Sequence, residues 1–264
     1  MPFRPRRRAL CAALASLLLL AACEDAPTAP TSYVQHAAGG VWVAVTEPLA
    51  MPRVDTWLPY IGGEGASAGA LLEMRERAAR FRTAGRVEDA LRLEDEMMRF
   101  AARSLTRAPE PTRLLSAAAA LDEWADRARL RLQTGSYPEL AAAVGVVASE
   151  AEAARAQMAA GDTGRAVLHL SRGAIAAREH APIAVGLRLM GAVESRLGPS
   201  PRPGESAGVR RARHLLADAR EGLATGDSVR ALRRAVYALQ LLDAEGITVA
   251  PAARGAVDSP RPLQ

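Results

Sequence analysis

"AAGDTGRAVLHLSRGA", Ala159–Ala174, and "ATGDSVRALRRAVYAL", Ala224–Leu239, follow one plan. Each has a Gly (161, 226), an Asp (162, 227), an Arg (165, 230), an Ala (166, 231) and then an apolar residue. A third stretch, "TAGRVEDALRLEDEMM", Thr83–Met98, keeps Gly85 and Ala90 without the Asp. Gly after a helical run is suited to the left-handed residue that closes a helix. Asp next to it accepts from the orphan N–H groups that open the following helix. The small Ala lets the two helices approach closely at the turn. The pattern therefore predicts helical hairpins.

The same punctuation extends along the chain. Gly85, Gly135, Gly161, Gly198, Gly226 and Gly246 follow helical stretches, and Ser67, Asp162 and Asp227 stand at N-cap positions. Reading from cap to cap predicts eight helices: 67–84, 87–106, 112–134, 137–160, 163–180, 182–197, 206–225 and 228–245. Most connections are short, so neighbours are expected to be antiparallel. Glu73–Arg77, Glu76–Arg80, Glu88–Arg92, Asp95–Arg99 and Glu123–Arg127 carry opposite charges four residues apart, which marks solvated helix faces. Leu91, Met98 and Leu105 fall on an apolar stripe, as do Ala231, Ala235, Leu239 and Leu242. The fold class expected is all-α: antiparallel hairpins, or an irregular helical bundle, over 67–246. "GPSPRPGE", Gly198–Glu205, is the expected sub-boundary before a final hairpin. Residues 247–264, rich in Pro and Ala, read as a disordered tail.

The hairpin turns resemble the middle of the tetratricopeptide repeat, with Ala231 and Ala238 on two of its small-residue positions. That resemblance implies a stacked helical array that binds proteins. The chain departs from the family in lacking the large aromatics near the turn and a regularly placed closing Pro. Its three glycines are not evenly spaced.

The N-terminus has a different character. Arg4, Arg6, Arg7 and Arg8 precede an apolar run, Ala9–Leu20, too short to span a bilayer, and the small residues Ala21 and Ala22 end it. Residues 1–22 therefore read as a secretory signal. "LAAC", Leu20–Cys23, resembles the lipobox of bacterial lipoproteins. The resemblance implies cleavage before Cys23, acylation of Cys23 and anchoring in the cell envelope. With Glu24 rather than Asp after the cysteine, it leans toward the outer membrane. Residues 23–40 then form a flexible tether, and 41–66 an extended segment containing Trp42 and Trp57.

Removing the signal changes the electrostatics. It carries four of the 34 basic residues and no acidic one, leaving 30 arginines against 29 carboxylates, a net charge near +1. No basic run interleaved with aromatics remains, so nucleic acid is not an expected partner. The chain has no Lys, which excludes Schiff-base, P-loop and SxxK chemistry. Its two cysteines are Cys11, inside the signal, and Cys23, so no disulfide or thiolate site is expected.

Motifs for chemistry are absent or out of context. "GGEGASAG", Gly62–Gly69, lacks the strand and the spacing of a dinucleotide loop. "GDSV", Gly226–Val229, matches the nucleophile motif of GDSL-type esterases, but no His follows it and Asp227 is explained as a cap. His36, His169, His180 and His214 form no metal-ligand spacing. No catalytic residue, metal or cofactor is expected. Trp42 and Trp57 either pack on the helices or stand exposed for docking. Gly186 and Gly191, inside one helix, mark either close packing or room for a ligand. The function these readings favour is a membrane-anchored interaction or scaffold module for another envelope protein. The alternative is a small-molecule or lipid binder with a pocket between helices.

Overall fold

The computed structural model describes residues 34–37, 40–62, 65–201 and 203–247. The signal 1–22, Cys23 and residues 248–264 of the tail lie outside the described residues. The fold is all-α. Eight helices of 16 to 22 residues carry it: α2 (Ala66–Thr83), α3 (Val87–Arg103), α4 (Pro111–Leu132), α5 (Pro138–Ala159), α6 (Thr163–Arg178), α7 (Pro182–Leu197), α8 (Ala207–Ala224) and α9 (Ser228–Ala244). A single turn, α1 (Val54–Trp57), runs into a 3-10 turn, Leu58–Tyr60. Before them, β1 (Val34–Ala37) and β2 (Gly40–Val43) pair antiparallel, Val34 opposite Val43 and Gln35 opposite Trp42.

Two expectations change here. The stretch read as a tether, 23–40, contains β1, because the Val-rich strand after it needs a partner for its backbone groups. The stretch read as extended, 41–66, turns helical at Val54–Tyr60. Pro59 is tolerated there because it falls in the first turn of the 3-10 segment, where its missing N–H costs nothing.

The hairpin turns form as their sequence dictates. Gly85, Gly161 and Gly226 have φ of +73°, +77° and +82°. The residue after each donates its N–H back across the helix end: Arg86 to Phe81 at 2.8 Å, Asp162 to Gln157 at 2.9 Å and Asp227 to Gly222 at 2.8 Å. This is the Schellman closure. Asp162 and Asp227 then cap the next helix, accepting from the N–H of Arg165 and of Arg230, each at 2.9 Å. Arg86, in the turn without Asp, makes no such cap. It lies over the Phe81 ring at 4.5 Å and pairs with Asp89 at 2.7 Å. Ala90, Ala166 and Ala231 are fully buried at the three turns.

Two predicted caps are corrected. Gly65, not Ser67, precedes the first turn of α2. Gly135 has no positive φ. α4 ends three residues earlier, and the Thr134 hydroxyl donates to the Arg131 carbonyl at 2.7 Å.

The core has two apolar clusters. One joins α1–α6 around Trp57, Met98, Leu121, Trp124 and Leu170, all fully buried. Within it α2 pairs with α3, α4–α6 pack on one another, and α3 lies on α6. The other is built on α7, α8 and α9 around Val193, Ala212, Ala235 and Leu242, with Val87 and Leu91 of α3 packed into it. Along the chain the change from mainly the first cluster to the second comes between α6 and α7. The Pro-rich loop at 198–205 belongs within the second set. Arg213 fixes it, donating to the carbonyls of Leu197 at 2.8 Å and Ser200 at 2.9 Å and pairing with Glu205 at 2.7 Å. The segment after β2 runs between the clusters: Val43 and Val45 enter the first and Ala44 the second, as strand alternation requires.

Candidate functional site

Cys23 lies outside the described residues. Trp42 stands on β2. Trp57 is fully buried in the first cluster, so it is a core residue and not a docking aromatic. Large aromatics in an Ala-rich chain supply most of the apolar area that a single turn such as α1 can bury. Gly186 and Gly191 separate. A Cβ on Gly186 would lie 3.6 Å from the backbone of Leu232, so this glycine marks the close approach of α7 and α9. Gly191 is exposed, and a Cβ there would have no neighbour within 4 Å, so it marks no close packing.

The segment Val43–Pro52 forms a built surface instead. The Val45 N–H donates to the His180 carbonyl at 2.8 Å. Glu47 meets Arg178 at 3.8 Å, and Arg178 bonds Asp95 at 2.7 Å. Asp95 thus makes its ion pair with another helix, not with the Arg99 that its spacing suggested. The partner lies 83 residues away, beyond any local pattern. Burial pushes the Asp95 carboxyl above its usual range, against the pull of Arg178. Just after these anchors, the Met51 N–H closes a turn onto the Pro48 carbonyl at 3.0 Å, while Pro48, Met51 and Pro52 are buried. The turn holds Leu49 out in solvent, at 106% of its reference exposure.

A second feature lies between α1, α2 and α3. An apolar cleft of about 170 Å³ opens there. Val54, Leu58 and Ile61 form one wall, Leu71 and Met97 the floor, and Leu72 and Arg75 the rim. Arg75 pairs with Asp55 at 3.6 Å, both side chains well exposed. Neither feature was read from the sequence. The spacing of Val54, Leu58 and Ile61, four and then three residues apart, is the signal that would have shown a helical wall despite Pro59.

The histidines are dispersed. His169 Nδ1 lies 2.6 Å from Glu150 on the neighbouring helix, and His180 is buried beside Trp124, with ring centroids 6.3 Å apart. Among the described residues no three His, Cys, Asp or Glu side chains are grouped to hold a metal, and no helix is long and apolar enough to cross a membrane. Compared with protein families, with curated proteins and with solved structures, the chain finds no match.

Proposed function

We propose that this chain is a cell-envelope lipoprotein, anchored through Cys23, whose helical domain docks another envelope protein. The observation that carries the docking reading is the presentation of Leu49. An apolar side chain wholly in water, on a turn clamped by the Glu47–Arg178 ion pair and by buried Pro48, Met51 and Pro52, loses little freedom when a partner covers it. Preorganisation lowers the ordering cost of association, so more of the apolar area covered appears as affinity. The hairpin turns that resemble tetratricopeptide units agree with a binding role, and the lipobox agrees with a tether that concentrates the domain at a membrane. The chain binds rather than catalyses, and its partner is a protein, not nucleic acid.

The test is photocrosslinking in the cell from position 49, with position 115 as control, since Leu115 is also exposed but lies on a helix face. A single protein adduct from position 49, absent from 115 and lost in Glu47→Ala, is the expected result. No adduct, or the same mixture from both positions, overturns the docking reading.

A further inference from the structure

We propose that the cleft between α1, α2 and α3 binds a small aliphatic carboxylate, its chain among Val54, Leu71 and Met97 and its carboxylate on Arg75. This goes beyond the docking reading and does not depend on it. The lining is apolar apart from Arg75. An apolar cavity of about 150 Å³ in another protein holds benzene, so about 170 Å³ accommodates about six carbons in a linear chain. The floor is closed, with Leu71 2% and Met97 4% exposed, while Leu72 at the rim is 61% exposed and carries the apolar surface outward. The ligand therefore enters from solvent and ends against the floor.

The rim sets the charge of the head group. A guanidinium offers five N–H donors in a fork that matches a carboxylate. Arg75 spends little of this on Asp55, because the pair is long at 3.6 Å and its side chains are 61% and 69% exposed. A cation would meet Arg75 with repulsion, and a neutral alcohol would gain only the apolar part. The volume also excludes a membrane-length acyl chain, so the ligand is a short free acid rather than a lipid of the bilayer.

The experiment titrates the purified chain, carrying [¹³C-methyl]methionine, with butanoate, hexanoate, octanoate and dodecanoate and with octanol, reading the Met97 methyl by NMR. A saturable shift is expected, with affinity rising about fourfold per methylene up to six to eight carbons and flat beyond. Arg75→Gln, an exposed change that leaves the core untouched, should weaken octanoate five- to tenfold and leave octanol unchanged. Asp55→Asn should tighten octanoate. The proposal is overturned if octanoate produces no saturable Met97 shift, or if Arg75→Gln binds octanoate like the parent. Affinity that keeps climbing to dodecanoate also overturns it, and would identify an open groove for lipid chains.

Discussion

The Val45 backbone N–H and the His180 carbonyl meet at 2.8 Å, between the last turn of α6 and the start of α7. That bond lies where the chain passes from mainly the first apolar cluster to the second, and the His180 ring beside it is buried. The environment of this histidine makes the seam sensitive to acid. Burial is the main cause holding its pKa below the ordinary value, with the Arg188 charge adding to it and Glu179 and Glu139 opposing.

The sign follows from proton counting. In the folded chain His180 binds a proton less readily than in the unfolded chain, where the value is about 6.5. Stability is therefore fully present above about pH 6.5 and falls as the pH drops toward the lowered folded-state value. Asp95 is shifted the other way, upward by burial, so its protonation opposes the loss on the acid side. Thermal unfolding at pH 7.5 and 5.5 should show a loss at the lower pH that His180→Gln reduces. An equal loss in both proteins would count against the seam as the acid-sensitive element.

The two glycines of α7 should respond differently. Gly191→Ala meets open space in a helix interior and should stabilise the fold by about 1 kcal/mol. Gly186→Leu drives a branched side chain into the Leu232 backbone and should cost about 1–3 kcal/mol. Denaturant midpoints distinguish them, and a Gly186→Leu protein as stable as the parent would disprove the close α7–α9 approach.

The related turns should fail alike. Gly226→Ala and Gly161→Ala force a side chain into the left-handed region at a cost of about 1–2 kcal/mol. Asp227→Ala and Asp162→Ala remove a cap at about 1 kcal/mol each. Urea unfolding of the four variants checks this. A cap deletion that leaves stability unchanged would show that water replaces the carboxylate there.

Anchoring has its own test. Cys23→Ser should move the chain from the membrane to the soluble fraction of the envelope and abolish labelling by radioactive palmitate. Palmitate labelling that persists in the variant would remove Cys23 as the acylated residue.

The helices were legible because their signals are local. Gly161 with Asp162 and Gly226 with Asp227 are adjacent residues, and each pair fixes a turn without reference to the rest of the chain. The Ala231, Ala235, Leu239 and Leu242 stripe is likewise contained in one helix and is buried throughout. What was not legible depends on residues far apart. Asp95 finds Arg178 rather than Arg99, Glu47 joins them, and the chain changes from mainly the first cluster to the second at α6–α7 although the Pro-rich punctuation lies at 198–205. Gly186 and Gly191 look alike in the sequence, and only the position of Leu232 distinguishes them. The Leu49 turn and the cleft at Arg75 also escaped, because exposure and concavity belong to no single periodic segment.

The alternation of Val43, Ala44 and Val45 between two clusters also has a mechanical meaning. A pull arriving from the N-terminal side loads the β1–β2 pair and its contact with α9 first, and reaches these three residues next. They touch both helical sets, as does α3, whose Val87 and Leu91 pack in the second cluster. Under tension the β1–β2 ladder would open from its Val34–Val43 end before any long helix unwinds.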